Sequence, residues 1–210
     1  MLAWPEGLVI AAGAWYDSVL ATNGKYRVGH SALVLVNATT NQLHYFDFGR
    51  YHTPMGFGRV RDIETDPDVS LQAKALIKDN TITNIEEIIV ELSGSKVTHG
   101  EGKLFASVLS NISFEKAHKY AKDIQDRGAI AYGPAVIGGT NCSRFVASVM
   151  RAANPDSYMK FRLKYPFCLM PSPKRNISIA NPSYYVAEKN AFQQINKSYI
   201  KSYFTSIERL

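Results

Sequence analysis

The feature that most constrains the fold is the stretch 138–150, which reads Gly-Gly-Thr-Asn-Cys-Ser-Arg-Phe-Val-Ala-Ser-Val-Met. The two glycines permit a bend, and the apolar residues after them recur at helical spacing. Cys142 is therefore predicted to begin a helix. There, unpaired backbone N–H groups and the positive end of the helix dipole stabilise a thiolate, the nucleophilic form of cysteine. We interpret Cys142 as a candidate nucleophile; the alternative is a small buried apolar residue at the start of a packed helix.

Length and composition favour a single domain. A chain of 210 residues, of which 46% are hydrophobic, can bury a full core, so we predict one domain over residues 1–210. The formal net charge of +6 is spread along the chain and is only mildly enriched toward the C-terminus, so we expect no nucleic-acid partner. The two cysteines, Cys142 and Cys168, are too few for a disulfide framework and indicate a reducing compartment, although one bridge between them stays open.

The sequence shows no pattern typical of a secretory signal or a membrane span. The apolar run 8–14 is short, contains Gly13 and follows Glu6 rather than a basic leader. No stretch approaches the roughly 18 apolar residues that a spanning helix needs. We therefore expect a cytoplasmic location.

Two predicted strands carry candidate partners for Cys142. Residues 28–36 are apolar on both faces, as in a central buried strand that begins near His30. Residues 43–48 form a second, aromatic-rich strand that ends at a glycine, so the two strands make a hairpin. In the register we favour, His30 lies opposite Asp47 or Gly49 and shares a face with Asp47, whereas His44 points to the other face. The alternatives are His44 as the partner, or His30 as a core histidine.

Residues 49–61 form a predicted loop with three glycines and three arginines. It leaves the strand that carries Asp47, so Arg50, Arg59 or Arg61 are candidates to bind an anionic group of a substrate. An ordinary solvated loop is the alternative. His99 and Glu101 lie further along the chain without a third nearby ligand, so they do not predict a metal site.

The rest of the chain supplies scaffold elements. We predict that three N-terminal aromatic residues pack on the core: Trp4, Trp15 and Tyr16. We also predict a short helix over 71–79, a strand over 103–109, and a helix over 113–127 that Ser113 caps. Residues 81–92 are predicted to be a helix that starts near Asn84 or a strand–helix junction. Residues 171–210 are predicted to be a basic, aromatic C-terminal extension that wraps the core.

Taken together, these motifs resemble the circularly permuted branch of the NlpC-type, papain-like cysteine peptidase superfamily, which includes the lecithin:retinol acyltransferase-like proteins. The similarity lies in the strand Gly-His-Ser-Ala-Leu-Val-Leu, a second strand that ends in an acidic residue, and the helical Asn-Cys-Ser-Arg-Phe-Val. It covers roughly residues 28–153. Phe-Asp-Phe-Gly-Arg-Tyr, Thr-His-Gly-Glu-Gly and Gly-Thr-Asn-Cys-Ser-Arg-Phe also resemble an uncharacterised bacterial family in that superfamily.

The resemblance implies an α+β, papain-like fold with a central antiparallel sheet packed against helices, one of which carries the nucleophile. Carried over by position, Cys142 matches the nucleophile, His30 the base and Asp47 the residue that orients the base. Tyr132, ten residues before Cys142, and Asn141 are candidates for oxyanion stabilisation. Asn141 is also a natural cap for the helix of Cys142.

The implied activity is that of a cysteine amidase or peptidase. It would cleave an amide bond of a small peptide-like or acyl-amide substrate through a thioacyl intermediate, with no cofactor and no metal. One alternative is a lipid acyltransferase or thioesterase of the same fold, which would need an apolar entrance. The acyltransferase alternative would be favoured if His44 faced His30, because acyltransferase-like members use a second histidine. The other is a non-catalytic binding protein.

Overall fold

The computed structural model describes residues 1–10, 22–27, 29–133, 136–165, 172–189 and 191–204. Its strands are β1 (Leu2–Trp4), β2 (Leu8–Ile10), β3 (Lys25–Arg27), β4 (His30–Val36), β5 (Leu43–Gly49), β6 (Phe57–Arg61), β7 (Ile77–Lys78), β8 (Thr81–Ile82), β9 (Leu104–Ala106), β10 (Ile130–Ala131), β11 (Ser183–Glu188) and β12 (Ala191–Asn196). Its α-helices are α1 (Ile85–Gly94), α2 (Phe114–Gln125), α3 (Cys142–Ala152), α4 (Ser157–Lys164), α5 (Pro173–Ala180) and α6 (Tyr199–Phe204).

Eight strands form one antiparallel sheet in the order β10-β6-β5-β4-β1-β9-β11-β12. Side chains on one face of the central strands, such as Leu33, Phe46 and Phe48, pack with α2, α3 and α5. Side chains on the other face, such as Ala32 and Tyr45, pack with α1. This arrangement confirms the predicted α+β class with a central antiparallel sheet packed against helices.

Three of the four helices predicted from the sequence are present, whereas α4, α5 and α6 were not predicted. Helix α2 begins after Ser113, whose Oγ accepts a hydrogen bond from the Lys116 N–H, and α1 begins after Asn84. Helix α3 begins at Cys142, as the glycines and the apolar stripe predict. Within the described residues no helix is both long and apolar enough to cross a membrane.

The helix predicted over residues 71–79 is wrong. Residues 71–76 are irregular, and β7 and β8 form a small hairpin around Asp79 and Asn80, which both have positive φ angles. The Glu91 carboxylate accepts hydrogen bonds from the N–H groups of Gln72 and Ala73, so these donors are satisfied without a helix. The short apolar spacing of this segment therefore reflects packing against α1.

The two ends of the chain contribute to the centre of the fold. Trp4 on β1 is buried, as predicted, whereas Trp15 and Tyr16 lie outside the described residues. Strand β1, which the sequence did not indicate, lies between β4 and β9. In the segment predicted to wrap the core, α5 is almost wholly buried and β11 pairs with β9. The described part of that segment thus supplies layers of the core itself.

Candidate active site

His30 and Asp47 lie on the same face of neighbouring strands and are hydrogen bonded. Ala32 on β4 pairs with Asp47 on β5, so His30, two residues before Ala32, shares the face of Asp47. The His30 Nε2 atom is 3.1 Å from Asp47 Oδ2. This is the register that the sequence favours. His44 points to the opposite face, where its ring lies 5.2 Å from that of His118, so it is not the partner of His30.

Asp47 is fully buried and accepts hydrogen bonds from several side chains besides His30. Arg61 donates from Nε to Oδ1 at 3.0 Å and from Nη2 to Oδ2 at 2.7 Å. The hydroxyls of Tyr45 and Tyr51 donate to Oδ2 at 2.9 Å and 3.0 Å. Burial alone would raise the pKa of Asp47, but the hydrogen bonds from His30 and Arg61 outweigh it and lower this pKa to about 2. Asp47 is therefore an anion over the whole physiological pH range.

Cys142 is a buried free thiol at the first residue of α3. Burial opposes ionisation of the thiol, but a hydrogen bond to His30 and the charge of His30 lower the pKa of Cys142 below its usual value. The Ser143 hydroxyl, 3.8 Å from Sγ, and the Ser31 backbone N–H act in the same direction. The sequence also predicts stabilisation by the helix N-terminus, which adds to these contacts.

The pKa of His30 shifts the opposite way. Burial would lower it, but hydrogen bonds to Asp47 and Cys142 raise it from 6.5 to about 9. Because the pKa of His30 rises while that of Cys142 falls, each group shifts the other toward its charged form, imidazolium and thiolate. The three side chains that the sequence selected thus form one connected series from thiol to imidazole to carboxylate.

Tyr132 lies beside the nucleophile, where the sequence placed an oxyanion candidate. Its hydroxyl interacts with both the thiol and the backbone N–H of Cys142. Burial and the negative charge of Cys142 raise the pKa of Tyr132 well above 10, so the phenol stays protonated and can donate. Its ring stacks on Phe48 at 5.7 Å, and a side chain at Gly58 would come within 2.9 Å of that ring. Gly58 therefore leaves room for Tyr132.

Asn141, the other oxyanion candidate, is the N-cap of α3. Its side-chain oxygen accepts a hydrogen bond from the Arg144 N–H at 2.9 Å. This contact satisfies one of the free donors at the helix start and fixes the backbone direction at Cys142. The structure thus displays the capping role.

The arginines of the 49–61 region have different partners. Arg59 forms two hydrogen bonds with Asp66, at 2.6 Å and 2.7 Å, and Arg61 is buried against Asp47. Arg50 is half-buried, and its guanidinium carbon lies 5.5 Å from the centre of the Tyr132 ring. Arg50 is thus associated with the side chain that adjoins the thiol, whereas Arg59 fixes the loop.

The role of several residues that support the site was not identified from the sequence. Trp4 stacks on the His30 ring at 5.9 Å, and its own ring needs the space left by Gly100, where a Cβ would lie 2.3 Å from the indole. Tyr51 contacts His30, Asp47 and the Arg61 guanidinium, which lies 3.5 Å from the Tyr51 ring centre. Strand alternation could have indicated Arg61, because it lies directly opposite Asp47 on β6.

His99 serves as a packing residue in this region. Its ring stacks on Tyr51 at 5.4 Å, and burial lowers its pKa. Within the described ranges, no group of three or more His, Cys, Asp or Glu side chains could hold a metal ion. The titratable side chains that the site brings together are the Cys142 thiol, the His30 imidazole and the Asp47 carboxylate.

Comparisons with known proteins agree with this architecture. The crystal structure of the type VI secretion system effector TseH matches with a TM-score of 0.61 at 21% identity, over 92% of this chain and 94% of that chain. This likeness shows a shared fold, which is consistent with the papain-like architecture expected from the sequence. No curated relative matches the chain in sequence. A sequence model described as type VI secretion system effector TseH-like matches residues 1–158. Because that match spans more than half of the chain, the protein belongs to the TseH-like family of type VI secretion system effectors.

Proposed function

We propose that this protein is an effector that acts as a cysteine amidase or peptidase, with Cys142 as nucleophile, His30 as base and Asp47 as the residue that orients the base. The observation that carries the proposal is the connected series in which the Cys142 thiol contacts His30 and the His30 Nε2 lies 3.1 Å from Asp47. A purely structural cysteine needs no histidine partner, and burial would raise its pKa. The opposite shift at Cys142 supports a reactive thiol.

The proposed reaction follows from these positions. The Cys142 thiolate attacks the carbonyl carbon of an amide, and the resulting oxyanion accepts hydrogen bonds from the Cys142 N–H and the Tyr132 hydroxyl. His30 then gives its proton to the leaving nitrogen, the C–N bond breaks, and a thioester forms. Next, His30 takes a proton from water, which attacks the thioester. Cleavage of the C–S bond releases a carboxylic acid and regenerates the thiol.

For the substrate we propose a small peptide-like or acyl amide, such as a peptide fragment of the bacterial cell wall. Arg50 lies against Tyr132 and can attract an acidic group near the scissile bond. Arg59 contributes less directly, because its guanidinium is paired with Asp66. The proposed reaction uses no cofactor.

A digestion assay tests this proposal. Soluble muropeptides are incubated with the wild-type protein and with Cys142→Ala, and the products are identified by mass spectrometry. Cys168→Ala is the matched control, because it makes the same change at the other cysteine of the chain. We expect amide hydrolysis with wild type and Cys168→Ala and none with Cys142→Ala. A second measurement, iodoacetamide labelling, compares Cys142 with Cys168 at neutral pH. No hydrolysis, together with labelling of Cys142 no faster than Cys168, would refute the enzymatic proposal and favour a non-catalytic binding protein.

A second candidate is an acyl hydrolase or acyltransferase that acts on lipid. Two exposed apolar side chains favour it, Met55 (86% exposed) and Ile137 (fully exposed). Met55 precedes Gly56, whose carbonyl accepts the Tyr132 N–H, and Ile137 precedes the start of α3 by a few residues. Against the acyltransferase form, His44 faces away from His30. Release of fatty acid from a fatty-acyl coenzyme A, with muropeptides untouched, would select this candidate. A cytoplasmic location and a single-domain organisation stay predictions.

A further inference from the structure

The surface formed by α4 and α6 carries a concentration of exposed apolar side chains. Six of them are between 51% and 75% exposed: Tyr158, Phe161, Tyr165, Tyr199, Ile200 and Phe204. Single exposed apolar residues are ordinary, but a contiguous group indicates an interaction surface. We call this group, together with Lys160, Lys164 and Lys201, the α4–α6 face.

The two helices present their exposed residues on one side of the molecule. Both contact α5, which is almost wholly buried beneath them. They are also joined directly, because Arg162 on α4 donates a hydrogen bond to the Ser202 hydroxyl on α6 at 3.4 Å. Arg162 and Ser202 are buried, whereas Phe161 on α4 and Ile200 on α6 are 54% and 75% exposed, so each helix keeps one side against the protein and presents another to solvent. Ile200 and Phe204, four residues apart on α6, lie on that outward side.

The face is also strongly basic. Residues 157–204 contain eight lysines and arginines and one acidic residue, Glu188, which is paired with Lys103 at 3.7 Å. Cations crowd together here: the pKa of Lys197 is lowered first by burial and then by Lys201 and Arg175. Asp156, which caps the start of α4, is the next acidic residue along the chain, so cations outnumber acids in this segment and its charge is positive.

We propose that the α4–α6 face docks on an anionic lipid surface. Aromatic and aliphatic side chains that project between lysines are suited to the boundary between headgroups and acyl chains, where the rings insert and the ammonium groups contact anionic headgroups. Protein interfaces are depleted in lysine, which argues against a protein partner. Aromatic rings also stack on nucleic-acid bases, so oligonucleotide binding is the competing outcome that the test below includes.

Helix α4 of this face lies toward the opposite end of α3 from Cys142. Helix α4 follows the C-terminal end of α3, whereas Cys142 begins α3, eleven residues and about 16 Å away along the helix. Apart from Tyr158, the face also lies beyond residues 1–158, the part of the chain that the family model matches. The proposal therefore concerns a feature separate from the thiol chemistry and does not depend on it.

Vesicle co-sedimentation tests this proposal. The full chain is mixed with vesicles of phosphatidylcholine alone or of equal parts phosphatidylcholine and phosphatidylglycerol. We expect binding only to the anionic vesicles. Phe161→Ser with Ile200→Ser should lower the partition coefficient by about tenfold or more, because the buried apolar area is lost. Lys160→Glu with Lys164→Glu should lower it by at least about tenfold through loss of headgroup attraction.

Matched controls use exposed residues elsewhere. Leu76→Ser with Ile63→Ser, and Lys78→Glu with Lys116→Glu, make the same chemical changes outside the face and should leave partitioning within about twofold of wild type. Circular dichroism melts establish that each variant is folded, and the two face variants provide independent tests. Equal partitioning to both vesicle types overturns the proposal, as does binding that the face variants do not alter. It is also overturned if the face variants instead abolish self-association in sedimentation velocity or binding of an oligonucleotide.

Discussion

The Arg61 guanidinium forms two buried hydrogen bonds to Asp47, and the same carboxylate lies 3.1 Å from the His30 ring. Arg61 contacts Asp47 and Tyr51 rather than Cys142. We therefore interpret it as a positioning residue that keeps Asp47 ionised and correctly oriented. The hydroxyls of Tyr45 and Tyr51 complete the set of donors on Asp47. Five hydrogen bonds from four side chains fix one carboxylate, which in turn fixes the tautomer and orientation of His30.

Arg61→Met should lower the free energy of unfolding by about 3–5 kcal/mol, because it leaves Asp47 buried without its cationic partner. It should also raise the pKa of Asp47 and so move the acidic limb of the rate profile for Cys142 alkylation to higher pH. Arg61→Lys keeps the charge but loses the bidentate hydrogen bonds, so we expect a smaller decrease in the free energy of unfolding. Urea unfolding and iodoacetamide kinetics measure the two effects. If Cys142 in Arg61→Met is alkylated with the same pH profile as in wild type, Arg61 is not a positioning residue.

His30→Gln should slow alkylation of Cys142 at pH 6.5 by about tenfold or more, because the imidazolium that stabilises the thiolate is lost. The remaining reactivity should appear only at higher pH, where an unassisted thiol ionises. Mass spectrometry that resolves Cys142 from Cys168 provides the rates. Unchanged kinetics at Cys142 would show that the histidine does not activate the thiol.

The contribution of His30 to thermal stability should fall as pH rises between 6.5 and about 9, whereas the lowered pKa of Cys142 makes a contribution of opposite sign that grows as pH rises toward 9. The pKa of His30 is raised in the folded protein, so protonation of His30 stabilises the folded state fully below 6.5, and that contribution disappears as pH passes about 9. The pKa of Asp47 is lowered to about 2 in the folded protein. Ionisation of Asp47 therefore stabilises the folded state above pH 3.8, and this stabilisation disappears as pH falls toward 2. Melting temperatures across both windows provide the measurement. His30→Gln should remove the His30 contribution and should also weaken the acidic slope, because the variant lacks the charge that helps to lower the pKa of Asp47.

Tyr132→Phe keeps the ring stacked on Phe48 but removes the hydroxyl beside Cys142. If that hydroxyl stabilises the oxyanion, the turnover of an amide substrate should fall by about 100-fold. Alkylation of Cys142 forms no oxyanion, so its rate should change far less. Comparing the two rates separates oxyanion stabilisation from thiol activation, and an equal loss in both would assign Tyr132 to thiol activation.

Asn141→Ala should lower the free energy of unfolding by about 1 kcal/mol, because the α3 cap is lost. Asn141→Ser retains a capping oxygen but has no amide donor, so it should be close to wild type in both stability and substrate turnover. Chemical denaturation and the hydrolysis assay test this pair. A serine variant that is stable yet strongly impaired in turnover would instead assign an oxyanion role to the Asn141 amide.

Local sequence determined those features that depend on near neighbours along the chain. The start of α3 at Cys142 followed from the glycines, the Asn141 cap and the apolar spacing, all within one stretch of residues. The pairing of His30 with Asp47 followed from strand alternation, because side chains at even spacing across a hairpin share a face. The helix prediction for residues 71–79 was wrong for the converse reason. Two backbone N–H groups of this segment donate to Glu91, which is distant in sequence.

Only the tertiary structure decided what surrounds the candidate catalytic residues. Strand β1 brings Trp4 against His30, and β6 brings Arg61 onto Asp47. Strand β1 was not predicted from the sequence, and the residues of β6 were predicted to lie in a loop. The same holds for the α4–α6 face, which arises because two helices cover one buried helix. The physical reason is that periodicity reports which side of an element is buried. The identity of the partner across the core depends on how the whole sheet and its helices pack.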